Sequence, residues 1–185
     1  IRFVTGIYIL PARRLFSVAK SVGTAAAISN NRLTLGIGVG WMKEEFQLMD
    51  EDFHTRGKRT DEMLEVLQKL WAGGWVEHHG KFYDFPRVEL TPAPGRVPVL
   101  VGGLSEAALR RTARHSDGWI SDIHTTDELR DIVARIRELR ADTPRAQAQV
   151  CAQVTSRCAH LEAPAKPHEV LAFQLGPHPG RGGEG

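Results

Sequence analysis

In the run Leu33-Thr-Leu-Gly-Ile-Gly-Val-Gly-Trp41, Gly36, Gly38 and Gly40 alternate with Leu35, Ile37 and Val39. On a strand, alternate side chains point to opposite faces, so the glycines share one face and the aliphatics the other. Glycine weakens a strand interior, and three at alternate positions require a close approach to the bare face. Two readings meet that requirement: a flat ligand lying on the backbone, or relief of crowding inside a barrel. The aliphatic face calls for a layer of helices, and a strand covered on both sides belongs to a parallel sheet. A dinucleotide-binding fingerprint is excluded, because the third glycine of that spacing would fall at Trp41.

The flanking sequence repeats the pattern. Ile1 to Leu10 is rich in β-branched and aromatic residues and reads as one strand stopping at Pro11. From Arg13 to Ser29, Leu15, Val18, Ala19, Val22, Ala25 and Ala26 recur at helical spacing, and Asn30-Asn31 ends that helix. Val97 to Gly103, Ser105 to His115, Asp117 to Ser121 and Thr126 to Arg140 continue as strand, helix, strand, helix. Four such alternations predict a barrel or a doubly wound sheet.

Between the second and third strands, Thr55 to Trp71 predicts a helix burying Met63, Leu64, Leu67, Leu70 and Trp71, with Asp61, Glu65, Gln68 and Lys69 in water. Trp75 to Leu90 reads as a small hairpin or irregular excursion, with His78-His79 in an exposed loop. Gln149 to Cys158 could form one more strand. The tail from Gly176 to Gly185 is too rich in Pro and Gly to pack and is expected to be disordered.

Composition removes several function classes. Lys plus Arg number 24 against 22 Asp plus Glu, a formal net charge of +2 over 185 residues, and the signs are interleaved. That balance argues against nucleic acid as a partner. Cys151 and Cys158 can build neither a disulfide framework nor a zinc knuckle, which points to a reduced, cytoplasmic compartment. Val4 to Ala12 and Leu33 to Met42 are too short to span a bilayer, and no signal peptide is recognisable. The chain opens on Ile1 directly in a strand, as a piece of something longer would.

A second constellation is Val99-Leu-Val-Gly102-Gly103-Leu104-Ser105-Glu106, a strand entering a helix through two glycines. Free N–H groups and the helix dipole make such a turn an anion site, with phosphate the expected anion. The plainer alternative is that Ser105 caps the helix and the glycines turn the chain. Glu44 and Glu45 fall in a first helical turn, where the dipole favours carboxylates whatever their role. The eight histidines show no metal-ligand spacing, so no metal is assigned, and there is no Gly-x-Ser-x-Gly elbow for a hydrolase.

Taken together, Thr5-Gly-Ile-Tyr-Ile-Leu-Pro11, Asn31 to Phe46, Arg56-Gly-Lys-Arg-Thr-Asp-Glu62, Leu70-Trp71, Val101-Gly-Gly103 and Ala107 to Trp119 resemble the luciferase-like monooxygenase family. The resemblance is closest to its coenzyme F-420-dependent oxidoreductase branch and runs from residue 1 to about 140. It implies an α/β fold, a partial (β/α)8 TIM barrel of the bacterial luciferase-like type lacking the first two strands. Residues 141–185 are not assignable to that pattern.

The resemblance also implies an oxidoreductase moving a hydride between coenzyme F-420, a deazaflavin, and a small organic substrate, in a family whose members are often homodimers. An FMN-dependent monooxygenase of the same family is the alternative. In this family the strand matching Ile1 to Leu10 carries a backbone bulge with a cis peptide that supports the ring; Gly6-Ile7 matches it, with Ile9 beside the ring. Gly38, Val39, Gly40 and Glu44 match positions along the ring's edge. Gly102, Gly103, Leu104 and Ser105 match the phosphate-binding turn. The family's acid residues match nothing in this chain, so no catalytic side chain is assigned. A phosphate-binding aldolase or isomerase would share the glycine turn but would want a strand-borne Lys, which no predicted strand contains. A truncated, inactive cofactor-binding or scaffold remnant is the non-enzymatic alternative.

Overall fold

The predicted alternation builds an all-parallel sheet. The structure is a computed structural model that describes residues 1–121 and 124–143, together with the backbone of Cys151–Val154 and Val170–Leu171. In chain order the elements are β1 (Arg2–Val4), β2 (Tyr8–Ile9), a 3-10 turn (Leu10–Ala12), α1 (Leu15–Ile28), β3 (Leu33–Gly38), α2 (Lys43–Leu48) and α3 (Arg56–Ala72). There follow β4 (Trp75–His79), β5 (Asp84–Glu89), β6 (Val99–Gly102), α4 (Glu106–His115), β7 (Gly118–Ser121), α5 (Thr126–Arg140), β8 (Cys151–Val154) and β9 (Val170–Leu171). The main sheet runs β8-β7-β6-β3-β1-β9, with β2 also pairing with β3. Every pairing in it is parallel, and the sheet curls into a half-barrel. β8 falls inside the predicted Gln149 to Cys158 strand; the Gly176–Gly185 tail lies outside the described residues.

The aliphatic face of β3 packs as its parity requires. Leu35 and Ile37 are fully buried in one cluster with Val18 and Ala19 of α1 and Met63 and Leu67 of α3. Burying side chains of this size contributes on the order of 1.5–3 kcal/mol each, which is why α1 and α3 stay on this face. The helices approach closely where Gly23 meets Trp71, whose indole N–H donates to the Ala19 carbonyl at 3.0 Å. α1 ends as expected, with Asn30 and Asn31 at φ 52 and 55. Of its predicted apolar stripe, only Ala25 is exposed.

Three expectations need correction. The first predicted strand is two short strands, because the chain bulges at Thr5–Ile7 and Leu10–Ala12 is helical. Asp61 and Gln68 of α3 are half-buried against α4. The Asp61 carboxylate holds the buried Arg111 guanidinium at 2.5 Å, and Gln68 Nε2 donates to the His115 carbonyl at 2.6 Å. Lastly, His78 and His79 lie on β4 of an antiparallel hairpin, not in an exposed loop. His78 is half-buried, with Nε2 3.2 Å from Glu62 of α3. Glu62 also accepts the N–H groups of Phe82 and Tyr83, fastening the hairpin tip to α3.

Candidate cofactor site at the carboxyl ends of the strands

The Thr5–Ile7 bulge explains the glycines. The peptide Gly6–Ile7 is cis, and the segment lies across the bare face of β3. A Cβ on Gly36 would stand 2.1 Å from the Thr5 carbonyl oxygen. The Thr5 hydroxyl donates to the Gly36 carbonyl at 2.8 Å and accepts the Gly36 N–H at 2.9 Å. Next along, the Ile7 side chain lies over two strands: a Cβ would be 3.0 Å from its Cγ2 at Gly38 and 2.5 Å from its Cδ1 at Gly102.

The glycine face is therefore covered by this chain's own bulge at Gly36, Gly38 and Gly102. Crowding, the plainer of the two readings, accounts for these three glycines, and a flat ring would meet the bulge rather than bare strand. The upper side of the bulge is open, since Gly6 is exposed and Ile7 is 42% exposed.

Strand parity does not extend to Gly40. β3 ends at Gly38, and Gly40 sits in a turn at φ 78. It still adjoins the same group, because a Cβ there would lie 2.8 Å from Ile9 Cγ2 and 2.8 Å from Phe46. Arg56 Nε donates to the Gly40 carbonyl at 3.1 Å, fixing the turn. Val39 is half-buried between Gly38 and Gly40. Gly6, Ile7, Ile9, Gly38, Gly40 and Gly102 thus come together. Glu44 is exposed on the first turn of α2, and among the described residues no hydrogen bond or ion pair ties it to them.

At the end of β6, Gly103 adopts φ 111, a conformation that favours glycine. Gly103, Leu104 and Ser105 are all exposed. Ser105 is the N-cap of α4, its hydroxyl accepting the Ala108 N–H at 3.2 Å. The first N–H groups of α4 have no intrahelical partner and remain available to an anion. Glu106 in that turn is held by Arg135 at 2.7 Å and Arg110 at 2.9 Å. Its hydrogen bond to Arg135 leads the causes that keep its carboxyl below the ordinary range. That carboxylate is already engaged.

The residues fit a flat ring with an anionic arm. An open apolar shelf at Ile7 and a glycine turn with free N–H groups stand at the ends of neighbouring strands, β2–β3 and β6. Trp41, next to Gly40, and Leu104, next to Gly103, are 79% and 53% exposed.

Sequence reasoning missed three supporting residues. Thr5 and Phe46 stand inside the motifs that carry the family resemblance, but sequence reasoning gave neither a role. Trp119 is buried on β7, and its indole N–H donates to the Gly103 carbonyl at 2.9 Å, anchoring the turn from the neighbouring strand. A tryptophan within a short strand was the one available signal.

The fold and site define a class: a parallel (β/α) half-barrel with an exposed glycine-rich shelf at the carboxyl ends of its strands, where barrel enzymes carry their sites. The sequence profile of luciferase-like monooxygenases matches residues 1–175. The chain belongs to the luciferase-like monooxygenase family.

Among its relatives, Rv0940c of Mycobacterium tuberculosis is 43% identical over 143 residues, 77% of this chain and 49% of that protein. The FMNH(2)-dependent dimethylsulfone monooxygenase of Pseudomonas fluorescens is 30% identical over 127 residues, 66% of this chain and 34% of that protein. The chain spans at most about half the length of these relatives. In fold it is similar to the monooxygenase RslO1 from Streptomyces bottropensis, with TM-score 0.70 at 23% identity over 83% of this chain and 49% of that one.

Proposed function

We propose that this chain carries the cofactor-binding face of a redox enzyme that acts on a small organic molecule with a flavin-type ring. The observation that carries the reading is the open side of Gly6–Ile7, lying over Gly38 and Gly102 beside the exposed Gly103–Ser105 turn. Gly6 and Ile7 would bear the middle of the ring with Ile9 beside it, Val39, Gly40 and Glu44 would line its edge, and the first N–H groups of α4 would hold its phosphate. When bound, such a ring supplies hydride transfer, or in its reduced flavin form the activation of oxygen. The chain's own part is to hold the ring flat, keep water from its underside and fix the anionic arm.

Two cofactors fit this reading. The sequence resemblance favours the deazaflavin coenzyme F-420, and with it hydride transfer to or from the substrate. FMN is favoured by the FMNH(2)-dependent relative. A homodimer accords with the family resemblance alone.

Titration with FMN and, in parallel, with coenzyme F-420, followed by ring fluorescence, tests both. One of them is expected to bind at micromolar concentration. Gly103→Asp places a carboxylate where the phosphate is expected and should weaken binding at least about tenfold, equivalent to roughly 1.4 kcal/mol. Failure of both to bind, or unchanged affinity in Gly103→Asp, rejects the assignment.

A further inference from the structure

A second cavity, of about 520 Å³, lies between the start of α1, the start of α3 and the tip of the β4–β5 hairpin. None of its lining residues is a cofactor position named above. Its volume falls within the range that holds small organic ligands.

Three arginines line it. Arg13 and Arg14 are exposed, and among the described residues neither has a carboxylate partner. Arg59 is different: its side chain is only 9% exposed. Its NH2 donates to the Pro11 carbonyl and its NH1 to Thr55 Oγ1, both at 2.8 Å. Its Nε is buried with no hydrogen-bond partner. That buried Nε is shut off from the cavity, so Arg59 contributes its charge to the wall rather than a free donor.

The helix start adds to this. α1 has no side-chain cap and no acidic residue in its first turn. Leu15, Phe16 and Ser17, whose N–H groups have no intrahelical partner, all line the cavity. The positive end of the dipole therefore lies with the arginines. The two acids present are already engaged, Glu51 3.5 Å from Arg59 NH2 and Asp84 2.6 Å from His79. The cavity carries a cationic excess.

Its other wall is aromatic. Phe16 and Phe85 meet edge to face with centroids 5.0 Å apart, and Phe82 and Tyr83 stand beside them. The Tyr83 phenol makes no hydrogen bond among the described residues, and burial pushes its pKa up to about 12, so it stays a neutral donor.

We propose that this cavity binds a small aromatic carboxylate, its ring against Phe16 and Phe85 and its anion on Arg14, the α1 N-terminus and the Tyr83 hydroxyl. Guanidinium and carboxylate match in geometry, and an aromatic body uses the walls that a bare phosphate would leave empty.

Calorimetric titration of the whole chain with 2-naphthoate tests this, with 2-naphthamide as the uncharged control and inorganic phosphate as the bare anion. The naphthoate is expected to saturate, the amide to bind at least tenfold more weakly, and phosphate to compete only at much higher concentration. Arg14→Gln, on an exposed turn, should lose at least tenfold in naphthoate affinity while its near-UV circular dichroism stays that of the wild type. Arg13→Gln, whose guanidinium lies over the Tyr8 ring, removes the same charge outside the anion's contacts and should lose less than Arg14→Gln. Equal binding of naphthoate and naphthamide overturns the proposal, as does phosphate binding as tightly as naphthoate, wild-type affinity in Arg14→Gln, or a loss in Arg13→Gln as large as in Arg14→Gln. Naphthoate affinity is expected to be the same with and without FMN, so a failed flavin titration leaves this result standing.

Discussion

Replacing Gly36 with alanine adds one methyl group where the chain has no room for it. The new Cβ would sit 2.1 Å from the Thr5 carbonyl oxygen and 3.3 Å from Ile120 Cδ1. Ile120 can turn aside, but the Thr5 oxygen belongs to backbone. Restoring ordinary contact means moving that peptide by more than about 1 Å, at an overpacking cost of about 1–3 kcal/mol. The same movement breaks the two hydrogen bonds between the Thr5 hydroxyl and Gly36, each contributing about 1 kcal/mol. The sum is about 3–5 kcal/mol, a large share of the roughly 5–15 kcal/mol that holds a domain folded. Gly38→Ala is the matched control, because its nearest neighbours are the side-chain atoms Ile7 Cγ2 at 3.0 Å and Ile9 Cδ1 at 3.7 Å. It should cost less than about 1.5 kcal/mol, the tolerated end of core changes. Urea denaturation reads both: the midpoint of Gly36→Ala should fall by roughly 1–2 M with an unchanged slope. Equal midpoints for the two variants would refute the argument that backbone, not side chain, sets the requirement at Gly36.

Glu62 provides a pH test. Burial raises its pKa, but the N–H groups of Tyr83 and Phe82 and the His78 ring together hold it below its ordinary value of 4.5. A carboxyl depressed on folding stabilises fully above the unfolded value and loses that stabilisation as pH falls through the folded one. Glu62→Gln should therefore cost about 2 kcal/mol at pH 7, with the gap in thermal midpoint from wild type closing below about pH 4. Asp61→Ala leaves Arg111, whose side chain is 5% exposed, without its carboxylate and should cost about 3 kcal/mol by chemical denaturation. Thr125→Ala removes the complete capping box of α5 and should cost about 1 kcal/mol, with helical circular dichroism melting earlier.

The sheet, the helices and their buried faces were legible because periodicity reports burial directly. Leu35 and Ile37 on β3, and Met63, Leu64, Leu67, Leu70 and Trp71 on α3, all lie in the core as their spacing predicts. The break in the first strand was not legible from pattern, since Ile1 to Leu10 has the composition of a continuous strand; only the family resemblance pointed to Gly6–Ile7. The alternating glycines were seen as meaningful, but local sequence could not say that Thr5, 31 residues away, would fill the space. Asp61 and Gln68 read as wet positions of an amphipathic helix. Their partial burial comes from partners far along the chain, Arg111 and His115, which helical periodicity does not encode. His78 failed for the same reason, its partner Glu62 lying 16 residues back on another element.

The Ile7 side chain touches the space above Gly38 on one strand and Gly102 on another, with Ile120 Cγ2 3.4 Å from the second. Three positions on separate strands and one in the bulge thus draw on a shared volume. Enlarging Gly102 to alanine obliges the Ile7 side chain to turn aside, and shortening Ile7 to valine makes room at Gly102. A substitution at this floor is therefore felt through Ile7 on the neighbouring strand as well as at its own. The contour offered to whatever lies above it is thus set by one side chain that answers to two strands at once.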